Sequence, residues 1–159
     1  YYSDDLIGCQ LGGAIKNIYA IASGITLGMN LGENAKSALI ARSFAEIIRF
    51  GNNLGANPQT LFGLSGLGDL ILTCNSLKSR NTSFGHLISS QPKVSITEHL
   101  KSLDTTEGYF TVQAIHNIAQ EKNINMPIAD SIYKILFKKV SIENEINQLL
   151  QRPTKDEVY

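Results

Sequence analysis

The chain has 159 residues, 43% of them hydrophobic and 18% charged, with 14 basic residues balanced by 14 acidic ones for a formal charge of zero. That length and composition suit one folded domain that needs no disulfide or metal staple, and they exclude a disordered tail. A balanced charge argues against broad nucleic-acid or membrane-surface binding, because both partners call for a large positive field.

The longest apolar stretch, Ala14 to Leu31, is interrupted by Lys16, Asn17, Ser23, Thr26 and two glycines, which is too broken for a membrane span. Cys9 and Cys74 form no CxxC pair, and His86, His99 and His116 lack metal-ligand spacing. Reduced thiols, no metal and a cytoplasmic setting are therefore expected. The sequence opens on Tyr1 without a basic, apolar leader, so it reads as a piece of a longer protein with a segment preceding it.

Leu11, Ile15, Ile18, Ala22 and Ile25 follow helical spacing, and Tyr19, Ala20, Ile21 and Leu27 fill the other faces, which predicts a buried helix. A second helix starts near Asn34 as N-cap, with Ala38, Leu39, Ala41, Ala45 and Ile48 on its apolar stripe and Lys36, Arg42, Glu46 and Arg49 elsewhere. It ends before Gly51, or at the latest at Gly55. Asn57 and Pro58 read as a cap and first helical residue, with Leu61 and Phe62 closing a short turn.

Gly63 to Gly68 reads GLSGLG, which predicts a loop. It follows no predicted strand, so it is no dinucleotide-binding fingerprint. Asp69 to Ser90 breaks around Asn75–Ser79 and resumes as a helix at Arg80, and the polar run Gln91 to Thr97 predicts a loop or short extended piece. Val112, Ile115, Ile118 and Ala119 mark one further helix, and Ile128, Ile132, Leu136 and Phe137 mark the next, with Met126 and Pro127 between them. Ser141 caps a last helix carrying Ile142, Ile146, Leu149 and Leu150, which Pro153 ends. At most one candidate strand stands against six or seven helices, so the fold class is all-α.

Three short motifs could carry chemistry. GGAIKN at Gly12–Asn17 places two glycines inside the most apolar helix, each costing about 1 kcal/mol relative to alanine, which suggests a close approach to the backbone. The Lys16 stem leans back over them, so its ammonium could reach an open space there and act as a general acid or base. Alternatively, Lys16 snorkels to solvent and the glycines merely permit close packing. GLGDL at Gly66–Leu70, with Thr73 following, brings Asp69 to a helix start, where a carboxylate can cap free N–H groups or orient a lysine. Ser79, Arg80 and Asn81 bring a hydroxyl, a guanidinium and an amide to a helix N-terminus, an arrangement suited to phosphate or simply to a capped surface helix.

Taken in order, GGAIKN, then LSGLGDLILTC at Leu64–Cys74, then SRN at Ser79–Asn81 resemble the C-terminal substrate domain of the bacterial-type NAD(P)-dependent glycerol-3-phosphate dehydrogenases. The likeness runs from SDDLIGCQLGGAIKN near the start through Glu107 and Gly108 to Met126–Ile128. It implies that residues 1–159 are a helical substrate domain similar to the C-terminal-like fold of 6-phosphogluconate dehydrogenase, and that a Rossmann domain precedes them. The reaction implied interconverts dihydroxyacetone phosphate and sn-glycerol 3-phosphate with NAD or NADP, feeding glycerophospholipid synthesis. These residues alone would then be inactive, and a homodimer is allowed.

By the same resemblance Lys16 is the catalytic lysine, and Lys16, Asn17, Asp69, Thr73, Ser79, Arg80 and Asn81 bind substrate. Arg80, Glu107 and Thr105 meet the cofactor. The chain departs from the family where Thr105 and Thr106 stand in place of apolar residues before Glu107. The alternatives are a related β-hydroxyacid or 6-phosphogluconate-type dehydrogenase domain, whose asparagine is spaced differently from Lys16, and a non-catalytic helical interaction module.

Overall fold

The computed structural model describes residues 2–103 and 106–152; the expected stop at Pro153 and the candidate cofactor residue Thr105 lie outside them. Nine α-helices and one π-turn make up the regular structure of the described residues, with no strand, as expected of an all-α chain. Helix α1 (Leu6–Gly28) is the axis of the fold. Asp5 caps it by accepting the Gly8 N–H at 2.8 Å, and Leu11, Ile15, Ile18, Tyr19, Ala20 and Ile21 are all buried, so the helix is enclosed on every side.

Helix α2 (Glu33–Leu54) starts after Gly32, whose φ of +88° closes the preceding turn, and not at Asn34. Its inward face also differs from the predicted stripe. Lys36, Ser43, Glu46, Ile47 and Phe50 are buried, while Ala38 and Ala41 face out. The reason is that its two inward charged groups have dedicated partners: Glu46 accepts from Tyr19 and from two backbone amides, and Lys36 pairs with Glu33 at 2.8 Å, while only the small Ser43 hydroxyl is buried without one. A hydrophobicity pattern cannot see such pairing.

Asn57 caps the short helix α3 (Pro58–Phe62) as expected, accepting the Gln59 N–H at 3.0 Å. The predicted GLSGLG loop is instead a π-turn over Leu64–Gly68 that runs directly into α4 (Asp69–Cys74). Helix α5 (Arg80–Ser90) then packs against α1 at very short range. A Cβ built on Gly85 would lie 2.0 Å from the Ile21 carbonyl oxygen, and one on Gly24 2.0 Å from that of Thr82, so only glycine lets the two backbones meet.

Part of the predicted loop at Gln91–Thr97 belongs to helix α6 (Ile96–Ser102), opened by a capping box in which Ser95 and Glu98 satisfy each other's backbone N–H groups. The S-x-x-E spacing was in the sequence. Helices α7 (Glu107–Glu121), α8 (Pro127–Lys138) and α9 (Ile142–Leu150) follow, the last capped by Ser141 as expected. Helices α7 and α8 cover the remaining sides of α1, α9 packs on α8, and the start of α7 lies beside the middle of α1 and the start of α5.

Candidate functional site

Three helix segments converge on one cleft. The middle of α1 brings Gly13, Lys16 and Asn17, the turn before α5 and its first residues bring Lys78, Ser79, Arg80 and Asn81, and the start of α7 brings Glu107. With Thr73 from α4 these residues enclose about 320 Å³, within the usual range for a small-molecule site. Among the described residues no cluster of metal-ligating side chains occurs, and no helix is long and apolar enough to cross a membrane.

The two adjacent glycines of α1 do different things. A Cβ at Gly12 would lie 2.3 Å from the Ser65 carbonyl oxygen, so this glycine lets the π-turn press against α1 and fixes where α4 begins. Gly13 has open space in front of it and lines the cleft. Both halves of the sequence argument about GGAIKN are therefore met at neighbouring positions.

Because the π-turn delivers Asp69 to the first turn of α4 next to α1, the Lys16 ammonium donates to Asp69 Oδ2 across 53 residues of sequence. Asp69 makes no capping bond to its own helix. Its other oxygen accepts from the Thr73 hydroxyl one turn later, at 3.3 Å. The side chains of Lys16 and Asp69 are 20% and 31% exposed, so the pair is shielded on one side and open to the cleft on the other. Lys16 does not snorkel away. Asp69 stands behind it, outside the cleft lining.

Ser79 is the N-cap of α5 and accepts the Thr82 N–H at 3.3 Å, which puts Arg80 and Asn81 in the first turn, where unpaired N–H groups and the helix dipole favour an anion. Arg80 is exposed, and no carboxylate among the described residues forms a salt bridge with it. Asn81 is buried, and so is Asn17, whose side chain it meets at 3.0 Å. Asn17 in turn donates to Glu107 at 3.3 Å.

Lys78 was not singled out from the sequence. It lines the cleft two residues before Arg80, at the end of a turn held by its own N–H on the Ser76 hydroxyl at 3.2 Å and by the Ser79 N–H on the Ser76 carbonyl at 3.0 Å. The signal was present as a second cation in KSRN, next to a predicted helix start. Lys78, like Arg80, has no salt-bridge partner among the described residues.

The cleft thus holds Lys16, neutralised by Asp69 behind it, two uncompensated cations at a helix N-terminus and one carboxylate at Glu107. It can take an anionic group at one end and present an ammonium to a polar centre a few atoms away. The glycine-rich segment offers no phosphate cradle, since the Gly66 and Gly68 N–H groups both turn back to the Gly63 carbonyl, at 3.3 and 3.2 Å.

A family model described as NAD-dependent glycerol-3-phosphate dehydrogenase C-terminus matches residues 5–147. The glycerol-3-phosphate dehydrogenase [NAD(P)+] of Staphylococcus carnosus is 46% identical over 99% of this chain, and the chain covers 47% of that protein. The crystal structure of glycerol-3-phosphate dehydrogenase from Coxiella burnetii superposes with a TM-score of 0.91 at 38% identity, over 96% of this chain and 46% of that one. The corresponding structure from Plasmodium falciparum gives 0.84 at 25% identity, over 97% and 45%. The chain therefore spans about half the length of the relatives it matches.

Proposed function

Since the chain belongs to the family of NAD-dependent glycerol-3-phosphate dehydrogenase C-termini, we propose that it is the substrate-binding and catalytic part of an enzyme that interconverts dihydroxyacetone phosphate and sn-glycerol 3-phosphate. The observation that carries this reading is the pairing of Lys16 with Asp69 on the wall of the cleft whose other end holds Lys78 and Arg80.

A phosphate monoester carries about two negative charges at neutral pH, which the two free cations and the α5 N-terminus balance. With the phosphate at that end, C2 of the three-carbon chain reaches the Lys16 ammonium. In reduction Lys16 hydrogen-bonds the C2 carbonyl oxygen and gives it a proton as negative charge develops there. In oxidation the neutral amine takes the hydroxyl proton. Asp69, held by Thr73, aims the Lys16 nitrogen and balances its charge whenever it is protonated. The nicotinamide cofactor, NAD or NADP, supplies or takes up the hydride when bound.

A Rossmann domain preceding these residues holds the cofactor's pyrophosphate, and Arg80 and Glu107 meet its nicotinamide side. Residues 1–159 by themselves would then be inactive. The same reading sets the enzyme in the cytoplasm, feeding glycerophospholipid synthesis, and allows a homodimer.

The test is Lys16→Met in the full-length protein. Methionine keeps the unbranched stem and the helix propensity while deleting the amine. The expected outcome is a fall in kcat of roughly 10² to 10⁴-fold, the usual worth of a positioned proton donor, with the melting temperature lowered only modestly, because Asp69 loses its partner but stays part-exposed and keeps its bond to Thr73. Near-normal kcat ends the proposal.

A further inference from the structure

The two asparagines of the cleft form a chain of hydrogen bonds with a fixed direction. The Gly108 backbone N–H donates to Asn81 Oδ1 at 2.9 Å, Asn81 Nδ2 donates to Asn17 Oδ1 at 3.0 Å, and Asn17 Nδ2 donates to Glu107 Oε2 at 3.3 Å. The chain starts and ends on adjacent residues of α7, and so ties α1, α5 and α7 together beside Lys16. Its direction follows from what the ends can do. A backbone N–H only donates and an ionised carboxylate only accepts, so flipping the amides would set N–H against N–H at Gly108 and oxygen against oxygen at Glu107. Each amide commits one N–H to the chain and keeps one.

We propose that Glu107 is a positioning residue for the substrate: as the acceptor that ends this chain, it holds the Asn17 amide, and through it Asn81, with the remaining N–H groups available to anionic oxygen in the cleft. This rests on the function proposed above but assigns Glu107 a second task beside its expected place at the cofactor edge. The geometry favours that task, because Glu107 is exposed at the helix start while the amide it holds is buried. With the acceptor gone, Asn17 would be held only through its oxygen, and its amide could turn away from the substrate.

The experiment compares Glu107→Ala and Glu107→Gln with wild type in the full-length protein, measuring KM separately for dihydroxyacetone phosphate and for the nicotinamide cofactor. Glutamine keeps a carbonyl to accept from Asn17, whereas alanine does not. The expected result is a rise of about tenfold in KM for dihydroxyacetone phosphate in the alanine variant, the size of one hydrogen bond to a charged group, and a change within about twofold in the glutamine variant. A rise confined to the cofactor KM, or equal substrate KM values in the two variants, overturns the proposal.

A second readout does not depend on turnover. The side-chain amide NMR signals of Asn17 shift and lose exchange protection in Glu107→Ala and keep both in Glu107→Gln; unchanged signals in the alanine variant overturn the proposal as well. Wild-type protein that binds the cofactor but does not reduce dihydroxyacetone phosphate defeats the proposed function instead, while the amide signals still decide whether Glu107 orients Asn17.

Discussion

Glu46 lies far from the cleft and gives the fold a pH dependence of predictable sign. Its side chain is on the inward face of α2, 2% exposed, and its oxygens accept from the Tyr19 hydroxyl at 3.0 Å, the Ile128 N–H at 2.7 Å and the Ala129 N–H at 3.2 Å. It therefore caps α8 from another helix. Burial favours the neutral acid and the three donors favour the carboxylate; burial prevails, and the pKa is pushed up from 4.5 to about 7.

Between those two values the folded chain keeps a proton that the unfolded chain has released. Stability is therefore fully present below pH 4.5 and declines as the pH rises to about 7. At about 1.4 kcal/mol per pH unit, the whole change is about 3 kcal/mol. For a chain of this size that corresponds to a melting temperature about 10 °C lower at pH 8 than at pH 5.

Glu46→Gln has no proton to lose. Its carbonyl can still accept from Ile128, but its NH₂ group faces the Ala129 N–H, so the variant should be about 1 to 2 kcal/mol less stable than wild type at pH 5. The diagnostic is the slope. Thermal unfolding of both proteins from pH 5 to pH 8 should give curves that converge or cross as the pH rises. The other titrating groups are common to both proteins. Asp5 and Glu98, whose carboxyls are held below their usual values by hydrogen bonds to Gly8 and Ser95, give up their stabilisation only at pH values below this window. Parallel curves would refute the argument, because they would mean that Glu46 ionises alike in the folded and unfolded chains.

Three further outcomes can be checked. Arg80→Lys keeps the charge but loses the bidentate fork, so KM for glycerol 3-phosphate should rise in the full-length enzyme, with a smaller change for an analogue lacking phosphate; equal losses would indicate a purely structural arginine. Lys78→Gln should raise the same KM by about three- to tenfold at low salt with kcat little changed, and the difference should shrink at high ionic strength, as expected of an exposed charge. Gly85→Ala drives a methyl group into the Ile21 carbonyl, and its cost of about 1 to 3 kcal/mol should appear as a lower melting temperature in differential scanning calorimetry.

The parts of the fold that the sequence made legible are those governed by local rules. Asn57–Pro58 and Ser141 open helices because a side-chain oxygen meets an N–H two or three residues on, and nothing distant is needed to see it. The all-round apolar pattern of α1 identified the central helix for the same kind of reason. The apolar stripe of helix α2 points to the wrong face because its inward residues include Glu46, whose partners on α1 and α8 make burial tolerable and appear only once those helices are in place. The same asymmetry runs through the site. GGAIKN, GLGDL and SRN could be recognised as motifs, but the Lys16–Asp69 pair spans 53 residues and the Asn17–Asn81 contact 64. Those distances are closed by glycine. Gly12 admits the π-turn that carries Asp69, and Gly24 and Gly85 bring α5 against α1 closely enough for Asn81 to reach Asn17. The glycines that look like defects in a helical sequence thus set the spacing of the cleft, and their effect becomes visible only through the backbones they let approach.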